Sequence, residues 1–151
     1  MEPTLATRVA LLGIVTGMRT FVPFALLAWL APPVGWMATI WARIVITLAS
    51  ASELVLDKLP KTPSRLKPGG MAGRVTCGGL MGWALTAQAQ GPVWLGVTLG
   101  VAGAVGGAFA GNKLRGFLGR TTGKPDLWFA LSEDVLALAI GAWAILGLGA
   151  H

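Results

Sequence analysis

The sequence predicts an all-α fold, a bundle of helices embedded in a membrane. Hydrophobic residues make up 54% of the 151 residues and charged residues only 12%, whereas about a quarter of the residues of a soluble domain are charged. The mean hydropathy is +0.70, and the apolar residues are gathered in long runs. Because a spanning helix needs about 20 residues, the chain has room for four or five crossings and no large domain outside the bilayer.

Five apolar runs are separated by breaks rich in proline, glycine or charge, which are residue types that end helices. We predict about five transmembrane helices in a single domain, 1–151, with spans at approximately 5–30, 36–56, 71–88, 93–111 and 127–148. The third run also carries Arg74, threonines and glutamines. A version with four crossings and a re-entrant third segment therefore stays open.

Basic residues are concentrated in two connecting loops, whereas the loops at 31–35 and 88–92 carry no charge. By the positive-inside rule the basic side is cytoplasmic, so five crossings predict a cytoplasmic amino terminus, with Arg8 on that side, and an external carboxyl terminus. Six of the seven tryptophans then lie toward the outer interface. The basic residues expected to contact anions or lipid headgroups are Lys58, Lys61, Arg65, Lys67, Arg74, Lys113, Arg115, Arg120 and Lys124.

The charge and cysteine content exclude several classes of protein. The net charge of +6 does not indicate a nucleic-acid-binding protein, because the basic residues sit in short loops between apolar runs. Cys77 is the only cysteine and His151 the only histidine, so neither a disulfide within the chain nor a CxxC metal or redox site can form. We predict no cofactor, no metal site and no nucleic-acid partner.

A faint internal repeat relates the two halves of the chain. Residues 6–13 resemble residues 72–79, and residues 57–59 resemble residues 112–114. If the similarity is more than chance, the first two spans match the next two as parallel repeats, and the fifth helix is an addition.

Glycines recur at four-residue spacing in the third and fourth runs, at Gly78, Gly82, Gly96, Gly100, Gly103, Gly107 and Gly111. Small residues at GxxxG spacing let helix backbones touch, either within one chain or between two copies. We expect a homodimer, because so small a protein needs a partner to enclose a pathway.

The second run carries a polar stripe, whose members are Thr39, Arg43, Thr47, Ser50, Glu53 and Asp57. Their spacing of three and four residues puts them on one helical face, which cannot face lipid. The first run adds Arg19, Thr20 and Pro23, and the fifth adds Glu133 and Asp134. The sequence therefore predicts a polar seam between the first, second and fifth helices.

Arg19 is the most costly residue of this seam. An unpaired arginine near the middle of a bilayer costs from about 2.5 to more than 10 kcal/mol, so we expect it to pair with carboxylates. Pro23 removes the hydrogen bond to the carbonyl of Arg19 and predicts a kink. The arrangement fits a transport site, and a purely structural kink held by a salt bridge stays open.

The leading functional hypothesis is a small transporter or channel-like protein that moves or binds a small solute or ion along this seam. Arg19 and Arg43 would meet an anionic group or act as movable counter-charges. The residues expected to form the inner gate or to couple protons are Glu53, Asp57, Glu133 and Asp134. Two alternatives are a membrane enzyme or binder of a lipid phosphate at the cytoplasmic face, and a non-catalytic scaffold. We name no catalytic residue, because no serine lies in a nucleophile motif.

Three segments carry a resemblance to a known family: "GMRTFVPF" at 17–24, "ASELVLDKLPKTPSR" at 51–65 and "GRTTGKPDLWFALSEDVLALAIGAW" at 119–143. Over nearly its whole length the chain resembles small bacterial multi-pass membrane proteins, the domain-of-unknown-function family forty-one twenty-six. The resemblance implies an inner-membrane location and assigns no activity. The residues that match the family pattern are Arg19, Glu53, Asp57, Lys58, Arg65, Glu133 and Asp134.

Overall fold

The structure is a computed structural model that describes residues 1–31, 37, 39–57, 66–122 and 126–147. These residues form six α-helices and no strand, which confirms the predicted all-α class. The helices are α1 (Pro3–Met18), α2 (Val22–Leu30), α3 (Ile40–Leu56), α4 (Pro68–Gln88), α5 (Val93–Thr122) and α6 (Asp126–Leu146).

The helix ends follow from local sequence. Pro3, Pro23 and Pro68 each stand in the first turn of a helix, where the missing proline N–H needs no partner and the fixed φ already suits the helix. α4 ends in a Schellman motif, in which Gln90 has a positive φ of 52° and the Gly91 N–H donates to the carbonyl of Thr86 at 2.8 Å.

The predicted first span, 5–30, is wrong as a single helix. α1 ends at Met18, and Arg19 follows in an extended conformation, with φ −140° and ψ 110°. α2 then begins at Val22, so Pro23 occupies a first turn and kinks no helix. The physical reason is that proline opens a helix far more readily than it interrupts one.

α2 runs back alongside α1. Val22 packs in one apolar cluster with Val15 of α1 and Ala137 of α6, and Leu26 lies against both Gly141 and Val15. Further along α2, Leu27 belongs to a cluster that contains Val9 and Leu12. α1 and α2 therefore form a helical hairpin, with Arg19 at its tip.

Because the chain reverses at Arg19, the start of α1 and the end of α6 lie at the same end of the bundle. The guanidinium of Arg8 lies against Gly147, and Leu5 lies against Gly91 in the turn between α4 and α5. We call this the terminal end. The opposite end, formed by the end of α3, the start of α4, the end of α5 and the start of α6, is called the basic end. The predictions of termini on opposite sides and of Arg8 beside the basic loops are wrong.

α5 packs against both α1 and α4, and its glycines make these contacts close. A β-carbon on Gly107 would lie 2.1 Å from the carbonyl oxygen of Ile14 in α1. On the neighbouring face, a β-carbon on Gly100 would lie 2.1 Å from the carbonyl oxygen of Gly78 in α4. Because no other residue type fits such contacts, these glycines set the spacing of α1, α4 and α5 within one chain.

The proposed parallel repeat does not describe the fold. Arg74, near the start of α4, donates to the carbonyl of Gly17, near the end of α1, and Leu5 lies by Gly91 beyond the end of α4. α1 and α4 are therefore antiparallel, whereas parallel repeats need their first helices to run in the same direction.

Two other boundaries differ from the prediction. α5 continues eleven residues beyond the predicted limit at 111, because 112–122 contains no proline and its glycines are tolerated within a helix. α4 is continuous over 21 residues, and the reversal of the chain lies instead within the predicted first span, between α1 and α2.

Two helices of the described chain are long and apolar enough to cross a membrane, over Val93–Leu118 and Leu127–Leu146. Only 28% and 39% of their most apolar windows are buried, so most of their side chains face outward. α1 is a shorter apolar helix. Two helices could thus cross a membrane, and the predicted set of five is not confirmed.

Candidate functional site

The candidate site is built around Arg19, the largest fully buried side chain among the described residues. Arg19 caps the carboxyl end of α1, where its N–H donates to the carbonyl of Val15 at 2.7 Å. Its extended backbone directs the chain into α2. The residue that makes the turn therefore also carries the buried charge.

Carboxylates from two other helices surround the Arg19 guanidinium. Nε donates to Oδ1 of Asp134 on α6 at 2.6 Å, and Nη2 lies 2.6 Å from the same oxygen. Nη1 donates to Oδ2 of Asp57, which caps the end of α3. Oε2 of Glu133 lies 3.9 Å from Nη2. The hairpin tip is thus tied to both α3 and α6.

Glu53 holds the second half of the hairpin. Its carboxylate accepts hydrogen bonds from the backbone N–H groups of Thr20 at 2.6 Å and Phe21 at 2.8 Å. These groups precede α2, and a negative charge there is stabilised by the helix dipole. One turn of α3 separates Glu53 from Asp57, so a single face of α3 binds both the start of α2 and Arg19.

Arg74 completes the cluster from α4. Its Nε donates to the carbonyl of Gly17 at 3.0 Å, Nη1 donates to the carbonyl of Gly70 at 3.2 Å, and Nη2 lies 3.9 Å from Oε1 of Glu53. Only 6% of Arg74 is exposed. The prediction that it contacts headgroups from a loop is wrong, because Arg74 lies in the second turn of a helix whose inner face packs on α1.

We call these six side chains the Arg19 cluster: Arg19, Glu53, Asp57, Arg74, Glu133 and Asp134. Within it, carboxylates outnumber guanidiniums by four to two, and each side chain is at most 12% exposed. Arg115 and Glu133 also line a small neighbouring cavity of about 30 Å³. The cluster thus brings four carboxylates and two guanidiniums together in one buried network that joins α3, α4 and α6 to the hairpin tip.

Other predicted seam residues lie elsewhere. Arg43 stacks over the ring of Trp29, with 5.3 Å between Cζ and the ring centroid. Thr47 accepts a hydrogen bond from the indole N–H of Trp29 at 2.9 Å and donates to the carbonyl of Arg43 at 2.7 Å. Ser50 is buried on α3. The polar stripe of α3 thus meets α2 toward the terminal end and the Arg19 cluster toward the basic end.

The predicted headgroup contacts divide into three groups. Lys67, Lys113 and Arg120 are exposed at the basic end, and Arg115 is half-buried. Arg74 belongs to the Arg19 cluster. The remaining predicted contacts, Lys58, Lys61, Arg65 and Lys124, lie outside the described residues.

Two features of the cluster are not predicted from the sequence: the position of Arg74 within a helix, and the backbone groups that bond to the charged side chains. The signal for Arg74 was present, since it lies inside an apolar run in the same way as Arg19. No signal marked the N–H groups of Thr20 and Phe21, because their partner Glu53 is more than thirty residues away.

The described residues contain no group of three or more histidine, cysteine, aspartate or glutamate side chains that could hold a metal ion. Cys77 is a free, half-buried thiol on α4. The Arg19 cluster is thus a charge cluster of arginines and carboxylates.

No family model, curated protein or solved structure matches the chain.

Proposed function

We propose that this chain is an integral protein of the bacterial inner membrane that moves or binds a small cation, with the Arg19 cluster as its ion-binding element. The observation that carries the proposal is the convergence of four buried carboxylates and two arginines at the tip of the hairpin. Buried charges at membrane depth are rare, and they mark ion pathways and proton relays. The resemblance to the small bacterial membrane family supports the location.

The outer surface supports a membrane location. Large apolar side chains stand exposed along the outer faces of the bundle, among them Leu48, Leu80, Phe109 and Val135, each at least 45% exposed. A soluble protein rarely exposes so much contiguous apolar surface.

Tryptophans add a second argument. Trp29, Trp41, Trp94 and Trp143 are all more than half exposed, and each lies within a few residues of a helix end at the terminal end of the bundle. Amphipathic rings collect at membrane interfaces, so this belt supports an interface at that end.

We propose that α3, α4, α5 and α6 cross the bilayer and that the α1–α2 hairpin enters from one side and returns to it. The reversal of the chain between the end of α1 at Met18 and the start of α2 at Val22 supports this entry and return. Lys67, Lys113 and Arg120 support a cytoplasmic basic end. Both termini would then lie outside.

A cation is favoured over an anion because of which residues converge. The sequence hypothesis paired Arg19 with Arg43 against an anionic group, but Arg43 stacks on Trp29. Arg19 instead lies among three carboxylates. In the proposed role, Arg19 is a fixed counter-charge that holds these carboxylates together, and one of the carboxylates takes up a proton or contacts a small cation as it passes.

The test is a flux measurement on purified protein in liposomes, with separate gradients of protons, sodium and potassium. We expect a flux of at least one of these cations, reduced about tenfold or more by Glu53→Gln or Asp134→Asn. Ser52→Ala is the matched control, since Ser52 is an exposed neighbour of Glu53 whose hydroxyl donates to the Ala49 carbonyl of its own helix.

Thermal unfolding of each variant in detergent separates loss of flux from loss of fold. The proposal is contradicted if no cation moves above the rate of empty liposomes, or if folded Asp134→Asn and Glu53→Gln proteins conduct like the wild type. In that event the cluster is a structural lock, and the scaffold hypothesis replaces the transporter. The predicted homodimer is measured on the same samples by light scattering.

A further inference from the structure

A second polar feature lies at the terminal end, far from the Arg19 cluster. A half-open cavity of about 440 Å³ lies between the start of α1 and the turn that joins α4 to α5. Its lining residues are Met1, Glu2, Thr4, Leu5, Arg8, Ala89, Gln90, Gly91 and Pro92. A space of this size fits a small ligand or a lipid headgroup.

Arg8 is the cation of this cavity. Its Nη1 atom is buried and has no hydrogen-bond partner among the described residues. A β-carbon on Gly147 would lie 2.4 Å from Cζ, Nη1 and Nη2 of Arg8, so the guanidinium occupies the space that a side chain at 147 would need. Leaving a buried guanidinium N–H unmatched is costly, and an oxyanion is the partner that its fork fits best.

Glu2 supplies a negative charge on the same cavity wall. It is exposed, and its Oε2 accepts a hydrogen bond from the Thr4 hydroxyl at 3.5 Å. Among the side chains that line it, the cavity thus has one cation and one anion, together with the apolar side chains of Met1, Leu5 and Pro92. A ligand with an anionic group, an ammonium group and an apolar tail complements all three.

We infer that this cavity binds a phosphate group joined to an ammonium group, the chemistry of a phosphatidylethanolamine head. The phosphate lies on Arg8, the ammonium lies toward Glu2, and the acyl chains follow the apolar wall into the bilayer. The exposed tryptophans of the terminal end place the cavity at headgroup depth, which favours a lipid over a soluble molecule. This site is separate from the cation site and does not depend on transport.

The test measures dissociation constants of the full chain in detergent by native mass spectrometry. Three probes are used: phosphatidylethanolamine, phosphatidylglycerol, which has the phosphate without the ammonium, and free phosphoethanolamine. We expect Arg8→Gln to weaken phosphatidylethanolamine binding about tenfold or more. Glu2→Gln should abolish the preference for phosphatidylethanolamine over phosphatidylglycerol.

Arg43→Gln is the matched control, because Arg43 lies toward the same end but stacks on Trp29. The affinity of this variant for phosphatidylethanolamine should stay within about twofold of the wild-type value. Equal loss in Arg8→Gln and Arg43→Gln would show general attraction to headgroups and overturn the inference, as would unchanged binding in Arg8→Gln. Where Arg8→Gln unfolds, Arg8→Lys keeps the charge without the fork and should still weaken binding. If free phosphoethanolamine binds as tightly as the lipid, the phosphate–ammonium chemistry stands and a soluble molecule is its source.

Discussion

Arg19 shows how a single residue can both shape the chain and carry its charge. Its backbone ends α1, and its side chain meets carboxylates of α3 and α6. Removing one partner from a buried ion pair leaves an uncompensated charge, at a cost of about 3–5 kcal/mol. Replacing Arg19 alone would therefore take away the counter-charge that it supplies to Asp57 and Asp134.

A double-mutant cycle of Arg19→Gln and Asp134→Asn measures this contact. We expect Arg19→Gln alone to lower the free energy of unfolding by about 3–5 kcal/mol. The double variant should lose less than the sum of the two single variants, because Asp134→Asn removes part of the stranded negative charge. The expected coupling energy is about 1–3 kcal/mol, from unfolding in mixed micelles.

The control cycle pairs Arg43→Gln with the same Asp134→Asn. Arg43 stacks on Trp29, so its effect should add to that of Asp134→Asn within about 0.5 kcal/mol. If the coupling energy between Arg19 and Asp134 is no larger than that between Arg43 and Asp134, then Arg19 and Asp134 do not form the contact described.

Residue types and their spacing were enough to select most members of the cluster. Arg19, Asp57, Glu133 and Asp134 were predicted because charged residues in apolar runs must pair with one another. Arg43 shares the helical face of Glu53 but lies ten residues away, which is about 15 Å along α3. Helical periodicity shows which residues of a helix share a face, but it does not show which residue of another helix each of them contacts.

Among the helices, the α1–α2 hairpin is the element that the sequence did not predict. The run 5–30 is apolar almost throughout, and its break is a tripeptide, Arg19 to Phe21. Pro23 opens α2, and the Glu53 carboxylate stabilises the break by accepting hydrogen bonds from the N–H groups of Thr20 and Phe21. A local pattern contains no information about a carboxylate on another helix, so a proline after a charged residue was interpreted as a kink.

The packing of α5 provides a matched pair of neighbouring glycines. A β-carbon on Gly107 would lie 2.1 Å from the Ile14 carbonyl oxygen, whereas one on Gly106 would meet nothing within 4 Å. We expect Gly107→Ala to destabilise the protein by about 1–3 kcal/mol, because α1 and α5 must move apart. Gly106→Ala should be neutral or should stabilise by about 0.5–1 kcal/mol, since alanine is the better helix former. Thermal unfolding of both variants checks the pair.

The two substitutions differ only in the face of α5 that they occupy. Similar unfolding temperatures for Gly106→Ala and Gly107→Ala would show that α1 does not pack against α5 at Gly107. Destabilisation by Gly106→Ala alone would indicate that the opposite face of α5 is the packed one.

At the scale of the whole molecule, composition and hydrophobic runs predicted the helical class and the positions of most helices. They did not predict the direction of the chain through the bundle. The orientation argument counted residues 5–30 as one crossing, so the reversal at Arg19 moved the amino terminus to the other end. The cause is topological: a missed turn changes the side of everything that precedes it.

The central claim is that the chain enters the membrane, turns at Arg19 and returns to the same side. Cysteine accessibility in intact cells tests this claim most directly. Cys77 is first replaced by serine, and single cysteines are introduced at Glu2, Gln90 and Lys113, which are all exposed. A membrane-impermeant maleimide is applied from outside, and total labelling is measured after lysis. We expect Glu2→Cys and Gln90→Cys to label together from outside and Lys113→Cys to label only after lysis. The hairpin would be contradicted if Glu2→Cys, like Lys113→Cys, labelled only after lysis while Gln90→Cys labelled from outside.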